Sequence, residues 1–254
     1  MSDALRFEWV RIRTLRSTYW LIASALLLNL TGAFAVAVTT DPLTHEIVGA
    51  ALTGGGGDLP VPFAAVFLAV VGILATGHEY RYGTIQPTLT TVPRRSTVLA
   101  AKVAVLAATA LVVAVVSLLA NIAAVLTVWG EVPGLTHWPL DEALPGYVVL
   151  VPLWTILGAA LAQLFRSVPV ALAVILVVPL IVEQLITSLS YVPVLHWLGP
   201  AIKFLPFTAG QRLLYTGGEV YAEYFGRWVS GGVLATFVAI VLAAAWTTFT
   251  HRDA

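Results

Sequence analysis

Long apolar runs separated by short polar stretches dominate the chain, and their lengths predict its elements. Runs with few or no charges cover about 19–39, 61–78, 98–128, 145–165, 168–188 and 228–249. About 20 apolar residues suffice for a helix to cross a bilayer, and the third run is long enough to tilt or project beyond it. Only Arg166 and Ser167 separate the fourth run from the fifth, which predicts a tight helical hairpin. A closed barrel also satisfies backbone groups in lipid, but its strands alternate apolar and polar residues. The run from Val103 to Val116 does not alternate. The pattern therefore predicts an all-α integral membrane protein: a six-helix transmembrane domain over 19–254, preceded by a distinct segment at 1–18.

That first segment has helical spacing. Leu5, Trp9, Ile12 and Leu15 recur at i, i+4, i+7 and i+10, giving an apolar stripe. Arg6, Arg11, Arg13 and Arg16 surround it, and Glu8 interrupts it. An amphipathic interfacial helix along the membrane surface follows, with guanidiniums toward lipid phosphates and Trp9 in the interface. Two readings stay open: charge anchoring of the first span, or a lever that transmits force from a partner. The polar connection His78 to Thr97 is far longer than a helical hairpin needs. Gly83 permits a turn and Thr84 can cap a short helix from Ile85. Pro93 ends that helix, and Ser96 can cap the third span. Residues 189–227 are aromatic and broken by Pro193, Pro200 and Pro206, which predicts short helices in the outer leaflet and not another straight span.

Composition sharpens this picture. Of the 254 residues 59% are hydrophobic and 10% charged, against roughly 45–50% and about 25% in soluble domains; mean hydropathy is +0.92. A water-soluble globular enzyme is excluded. The net charge is zero, but its distribution is uneven. With the N-terminus inside, Arg6, Arg11, Arg13, Arg16, Arg81, Arg94, Arg95, Lys102, Arg166 and Arg252 lie on the inner side, ten of the thirteen basic residues. Lys203, Arg212 and Arg227 lie outside. The first two outer loops carry Asp41, Glu46, Asp58, Glu131, Asp141 and Glu142 with no Lys or Arg. The positive-inside rule then places both termini in the cytoplasm. The apolar run from Tyr19 exceeds the 7–15 residues of a signal-peptide core, so an uncleaved anchor is expected over cleavage near Ala35 or Ala37.

Little in the chain carries chemistry of its own. There is no cysteine, hence no disulfide, thiolate metal site or thiol nucleophile. The two lysines, Lys102 and Lys203, lie outside any phosphate-binding glycine loop, and none of the five histidines forms H-E-x-x-H. Gly54 to Gly57, followed by Asp58, reads as a flexible outer loop. No catalytic, cofactor-binding or metal site is expected. Glu183, with Gln184 beside it, falls late in the fifth span. An acid at a span's centre costs about 2.5–3.5 kcal/mol, and less toward the interface. Glu183 should therefore face protein, water or a partner. It is either a substrate-path or gate residue, or a structural bond to the outer helices near Arg212. Asn121 in the third span reads as helix–helix glue. Small residues line the last span at Gly231, Ala235, Ala239 and Ala243, and the third at Ala100, Ala104 and Ala108. They argue for a close-packed bundle and leave a dimer seam open.

The stretch Glu79-Tyr80-Arg81-Tyr82-Gly83-Thr84-Ile85, continuing through Thr88-Leu89, Pro93-Arg94-Arg95 and Lys102, resembles the loop between spans two and three of a known family. Glu8-Trp9 with Arg13-Thr14-Leu15-Arg16-Ser17-Thr18-Tyr19-Trp20 matches the same family's N-terminus. Trp197-Leu198-Gly199-Pro200 and Leu205-Pro206-Phe207 match it more loosely. The family is the membrane subunits (permeases) of type-2 ABC exporters, which serve drug, antibiotic, lipid or polysaccharide export, and the resemblance spans essentially the whole chain. It implies that Glu79, Tyr80, Arg81, Gly83, Thr84, Ile85, Pro93, Arg94 and Arg95 form a cytoplasmic coupling helix and its flanks, seated on a separate ATP-binding subunit. It implies that the interfacial helix, with Glu8, Trp9, Arg13 and Arg16, rests on that subunit too. Two ATP-binding subunits and a second permease copy are the implied partners, besides membrane lipid. ATP and Mg would be bound by the partner, with no cofactor in this chain and no nucleic acid. The implied location is the bacterial cytoplasmic membrane. The second and fifth spans would line the substrate path, with Glu183 and Gln184 near its outer end.

Two other classes stay in view. An ion-coupled secondary transporter places paired ionisable residues near the midplane, where Glu183 stands alone. An intramembrane enzyme needs a convergent acid/base or metal set, which the sequence lacks. From the loop motif, Glu79→Ala and Arg81→Ala are expected to uncouple ATP hydrolysis from transport in a folded protein.

Overall fold

The computed structural model of the chain describes residues 2–42, 44–54, 61–83, 95–216 and 224–251. Every regular element among them is helical. In chain order these are α1 (Ser2–Thr14), α2 (Arg16–Thr39), α3 (His45–Thr53), α4 (Phe63–Arg81), α5 (Arg95–Trp129) and α6 (Leu140–Phe165). Then follow α7 (Val168–Ser190), α8 (Gly199–Ile202), α9 (Pro206–Gln211) and α10 (Arg227–His251). Helices α2, α4, α5, α6, α7 and α10 are the six long and apolar enough to cross a membrane. They match the six apolar runs, each a few residues longer at one end or both. As the sequence predicts, α6 and α7 form a tight hairpin: Arg166 adopts a left-handed conformation that ends α6, and Ser167 is extended before α7.

Two spans form the centre. In α4 and α6, 61% of the membrane-length window is buried, against 22–33% in the other four. Their crossing is set by glycine. A Cβ on Gly72 would sit 2.3 Å from the Thr155 carbonyl oxygen, and one on Gly158 2.3 Å from that of Ala69. The backbones are thus in contact, the close approach that small residues permit between helices in lipid. The alanines singled out from the sequence do something else. Ala104, Ala108, Ala239 and Ala243 face out of the bundle, so these four do not pack the helices against one another within the chain.

The spans alternate in direction. One end of the bundle gathers α1, the C-terminal ends of α4, α6 and α10 and the N-terminal end of α5. Ile12 packs there with Val71, Ala75, Val105, Leu106 and Ala159, and Phe249 with Leu99 near Tyr80. At the opposite end Trp129 closes α5 onto α2, its indole N–H lying 2.8 Å from the Ala37 carbonyl and 3.1 Å from that of Thr40. Each proline that breaks the 189–227 segment starts a short element. Pro193 opens the 3-10 turn Pro193–Leu198, Pro200 lies in the first turn of α8, and Pro206 opens α9. A fixed φ and a missing N–H suit a helix start.

Two features depart from the sequence pattern. Helix α3 was expected to be outer loop, but it folds back among the spans with Val48, Gly49, Ala51, Leu52 and Thr53 buried. Its last carbonyls are satisfied by side chains of other helices. Asn121 Nδ2 donates to Leu52 O at 2.9 Å, and Asn29 Nδ2 donates to Thr53 O at 3.3 Å. Asn29 Oδ1 accepts from the N–H of Ala64, in the first turn of α4, at 3.3 Å. Backbone that leaves the helix among spans is tolerated where protein surrounds it. The second feature is a π-helical turn at Val178–Val182 within α7, where the Glu183 N–H bonds back to Val178 O. Of the glycine run, Gly54 is left-handed at φ 67° and ends α3; Gly55 to Asp58 lie outside the described residues.

Candidate functional site

Four charged side chains from three helices meet at the end of the bundle where α4 ends and α5 begins. Glu79 is in the last turns of α4, Lys102 in the second turn of α5, and Glu8 and Arg11 lie one turn apart on α1. Glu79 holds both cations: Arg11 Nη1 donates to its Oε1 and Lys102 Nζ to its Oε2. Arg11 Nη2 also donates to the Ala75 carbonyl. Glu8 has a looser contact, 3.4 Å from Arg11 Nη1. Exposure is 2% for each of Glu8, Glu79 and Lys102. Glu79, paired with both cations, satisfies the requirement that charge removed from water be paired, whereas Glu8 keeps only the looser contacts to Arg11.

The arrangement follows from sequence once α1 is rolled correctly. Ala4, Glu8 and Ile12 are its buried residues, spaced i, i+4 and i+8 along one face. Glu8, which interrupts the apolar stripe, is at the centre of that face. Trp9, placed on the stripe from sequence, is instead 47% exposed, with the Arg13 guanidinium 5.8 Å from its ring centroid. Desolvation raises the Glu8 carboxyl above the ordinary carboxylate range; Lys102 and Arg11 oppose this rise, while Glu79 adds to it.

Beside this cluster Tyr80 joins α4 to α6. Its hydroxyl accepts from Gln163 Nε2, and the Arg166 guanidinium lies 5.5 Å from its ring centroid. Arg81, Tyr82 and Gly83 are exposed, and Arg81 stacks on the Tyr82 ring at 5.7 Å. Gly83 is left-handed at φ 65°, a geometry glycine adopts without strain. Arg13 and Arg16 are also exposed. Arg95 is the first residue of α5. Thr84, Ile85, Pro93 and Arg94, with the short helix expected there, lie outside the described residues. Arg11 and Lys102 were the members that sequence reading did not pair. The signal lay in Lys102, a lysine inside an apolar run, which demands a buried acid.

Glu183 has a different setting at the opposite end. It is 2% exposed, and its oxygens accept from the Phe207 N–H at 3.1 Å, the Thr208 N–H at 2.6 Å and the Thr208 hydroxyl at 2.8 Å. The carboxylate thus caps the start of α9. Gln184 beside it is half-buried. Arg212 lies over the rings of Tyr215 and Tyr224, at 4.9 and 3.7 Å from their centroids. Of the acids expected outside, Glu142 pairs with Arg227 at 3.3 Å, and Arg227 also donates to the Leu213 and Tyr215 carbonyls at 2.9 and 2.8 Å. Replacing Glu183 with Gln turns one acceptor into a donor aimed at donors. Glu183→Gln is expected to cost about 1–3 kcal/mol, read as a lower midpoint of thermal unfolding in detergent.

A third polar set lies between the ends. Asn29 Nδ2 also donates to the Tyr147 hydroxyl, and Tyr147 and Ser117 share a hydrogen bond, each at 2.7 Å. Ser117 donates its hydrogen to Ala114 O at 3.0 Å, which leaves its oxygen as the acceptor for the Tyr147 hydroxyl. Asn121 thus has the gluing role expected of it, on α3. Of the two spans the resemblance assigns to a path, α4 is among the most enclosed, whereas α7 has 22% of its window buried. Compared with known proteins, the chain matches no family model and no curated protein sequence.

Proposed function

We propose that the chain is the permease subunit of an ABC exporter, moving amphipathic small molecules, antibiotics or lipid-like cargo out of the cell. The observation that carries this reading is the placement of the Glu79-to-Lys102 motif. Its two buried charged ends, Glu79 and Lys102, bind each other and grip α1 through Arg11. A connection anchored in this way, with α1 braced against both its helices, moves α4, α5 and α1 together when a partner pushes on it. The six apolar helices and the absence of an ATP-binding motif fit a machine whose free energy comes from a separate subunit.

In this reading residues 79–95 form the coupling element on the cytoplasmic face, and α1 lies in the inner interface with Arg6, Arg13 and Arg16 toward phosphates. Both termini are cytoplasmic, and the 189–227 helices sit in the outer leaflet. Two ATP-hydrolysing subunits and a second permease copy complete the transporter in the bacterial cytoplasmic membrane. The path runs along the uncovered side of α7, with Glu183 fixing the outer helices beside it. Nucleotide-driven closure shifts the permeases because the ATPases contact their two arrangements differently.

Arg81 is the residue to mutate, since its side chain is exposed and outside the buried cluster. Arg81→Ala is expected to leave the thermal unfolding midpoint unchanged while lowering the co-purified ATPase subunit about tenfold, the loss of roughly 1.4 kcal/mol of contact energy. A variant that keeps the full complement of partner and transports normally would remove Arg81 from the coupling surface.

A further inference from the structure

We infer that α1 is a hinged arm whose docking on the bundle depends on a proton carried by Glu8. The geometry shows an asymmetry inside the four-charge cluster. Glu79 takes a close contact from each cation, Arg11 on one oxygen and Lys102 on the other. Glu8 is equally buried, yet among the described residues its oxygens keep only the long contacts to Arg11 Nη1, at 3.5 and 3.4 Å, a guanidinium already engaged with Glu79 and the Ala75 carbonyl. A carboxylate without a close donor is costly to bury, and a proton on it removes most of that cost.

The arm has a hinge. Leu15 separates α1 from α2 in an extended conformation, φ −80° and ψ 112°. Rotation there lifts the Ala4, Glu8 and Ile12 face and Arg11 away from α4 and α5, leaving Glu79 paired with Lys102. The groups around Glu8 are Arg11 on its own helix, Glu79 on α4 and Lys102 on α5; Asp3 on α1, His78 and Tyr80 on α4, Tyr82 just beyond it and His251 at the end of α10 are further titratable groups at this end of the bundle. Burial, the largest influence on Glu8, raises its carboxyl above 4.5 in the docked arm. Undocking returns it to the ordinary range. The docked arm therefore holds its proton more tightly, so docking is strongest below pH 4.5 and weakens as pH rises through the raised value. Each unit of separation changes the docking equilibrium tenfold. This device uses the same α1 contacts as the exporter reading, but its test reads one chain alone, so its failure leaves the partner test of that reading intact.

The chain has no cysteine, which gives a clean test on the full-length protein in nanodiscs of neutral lipid. Ala4→Cys places a thiol on the buried face and Val10→Cys one on the exposed face. The rate at which a neutral pyridyl disulfide labels the first, divided by its rate on the second, reports the undocked fraction and cancels thiol ionisation. The ratio should rise severalfold between pH 4.5 and pH 8. In Glu8→Gln, which cannot ionise, it should stay low and flat. In His78→Gln the wild-type rise should persist. A flat ratio in the Glu8 protein, or an unchanged rise in Glu8→Gln, would overturn the proposal. Because the Glu8 protein's own titration already decides, a Gln variant that failed to fold would not rescue it.

Discussion

Glu79→Ala should lower folding stability by about 3–5 kcal/mol, the cost of removing one partner from a buried ion pair. The loss is large because one carboxylate serves two cations. Without it Lys102, 2% exposed on α5, and the Arg11 guanidinium are left as uncompensated charge at the base of three helices. The signature of this mechanism is partial rescue. Glu79→Ala/Lys102→Met removes the stranded ammonium and should recover part of the loss, a coupling that a double-mutant cycle isolates. Thermal or denaturant unfolding in detergent reads both variants. Equal stability of Glu79→Ala and the unmodified protein would mean that the cluster does not form. The sequence motif alone treats Glu79 and Arg81 as equivalent coupling residues. Burial separates them: a defect in Glu79→Ala reports packing first, and only Arg81 tests the surface cleanly.

The second large effect is expected at the centre of the bundle. Gly158→Val should cost at least about 1–3 kcal/mol, the usual range for overpacking. The first carbon alone, placed 2.3 Å from the Ala69 carbonyl oxygen, meets backbone that cannot step aside as a flexible side chain can. The two central helices must separate, and every contact along the α4–α6 crossing weakens. Gly72→Val should behave alike against Thr155. Gly232, on the open face of α10 with nothing within 4 Å of an added Cβ, is the control; Gly232→Ala should be neutral. Yield of folded protein and unfolding midpoint decide the matter, and a neutral Gly158→Val would contradict the close crossing.

What was legible in the sequence followed from short-range rules. Twenty-odd apolar residues without charge have one solution in lipid, so six spans could be read from hydropathy to within a few residues. Pro193, Pro200 and Pro206 marked breaks in the 189–227 segment because proline constrains its own residue, and the structure puts each in the first turn of a short element. Helix α3 escaped, since the nine residues His45–Thr53 are too short to span, and nothing local announces that Asn29 and Asn121 close its end. The π-helical turn in α7 is hidden inside a uniformly apolar run. The candidate site was half legible. Glu79, Tyr80, Arg81 and Glu8 stood out as polar residues at the rim of spans, but which of them met depended on the roll of α1. A stripe built from Leu5, Trp9, Ile12 and Leu15 treats Glu8 as a flaw. Burying Glu8 with Ile12 depends on Arg11 and Lys102, cations whose places there no local pattern shows, the second 94 positions away in the chain.

The central claim is that this chain works as the membrane half of an ATP-driven machine. The most direct test is affinity purification in mild detergent from the native cell, followed by identification of the bound proteins and an ATP hydrolysis assay. The account predicts a stoichiometric ATP-binding subunit of about 25–35 kDa, a size set by ordinary domain dimensions, and ATP turnover in the purified complex. A chain that purifies alone, with no ATPase partner in the cell, would contradict it.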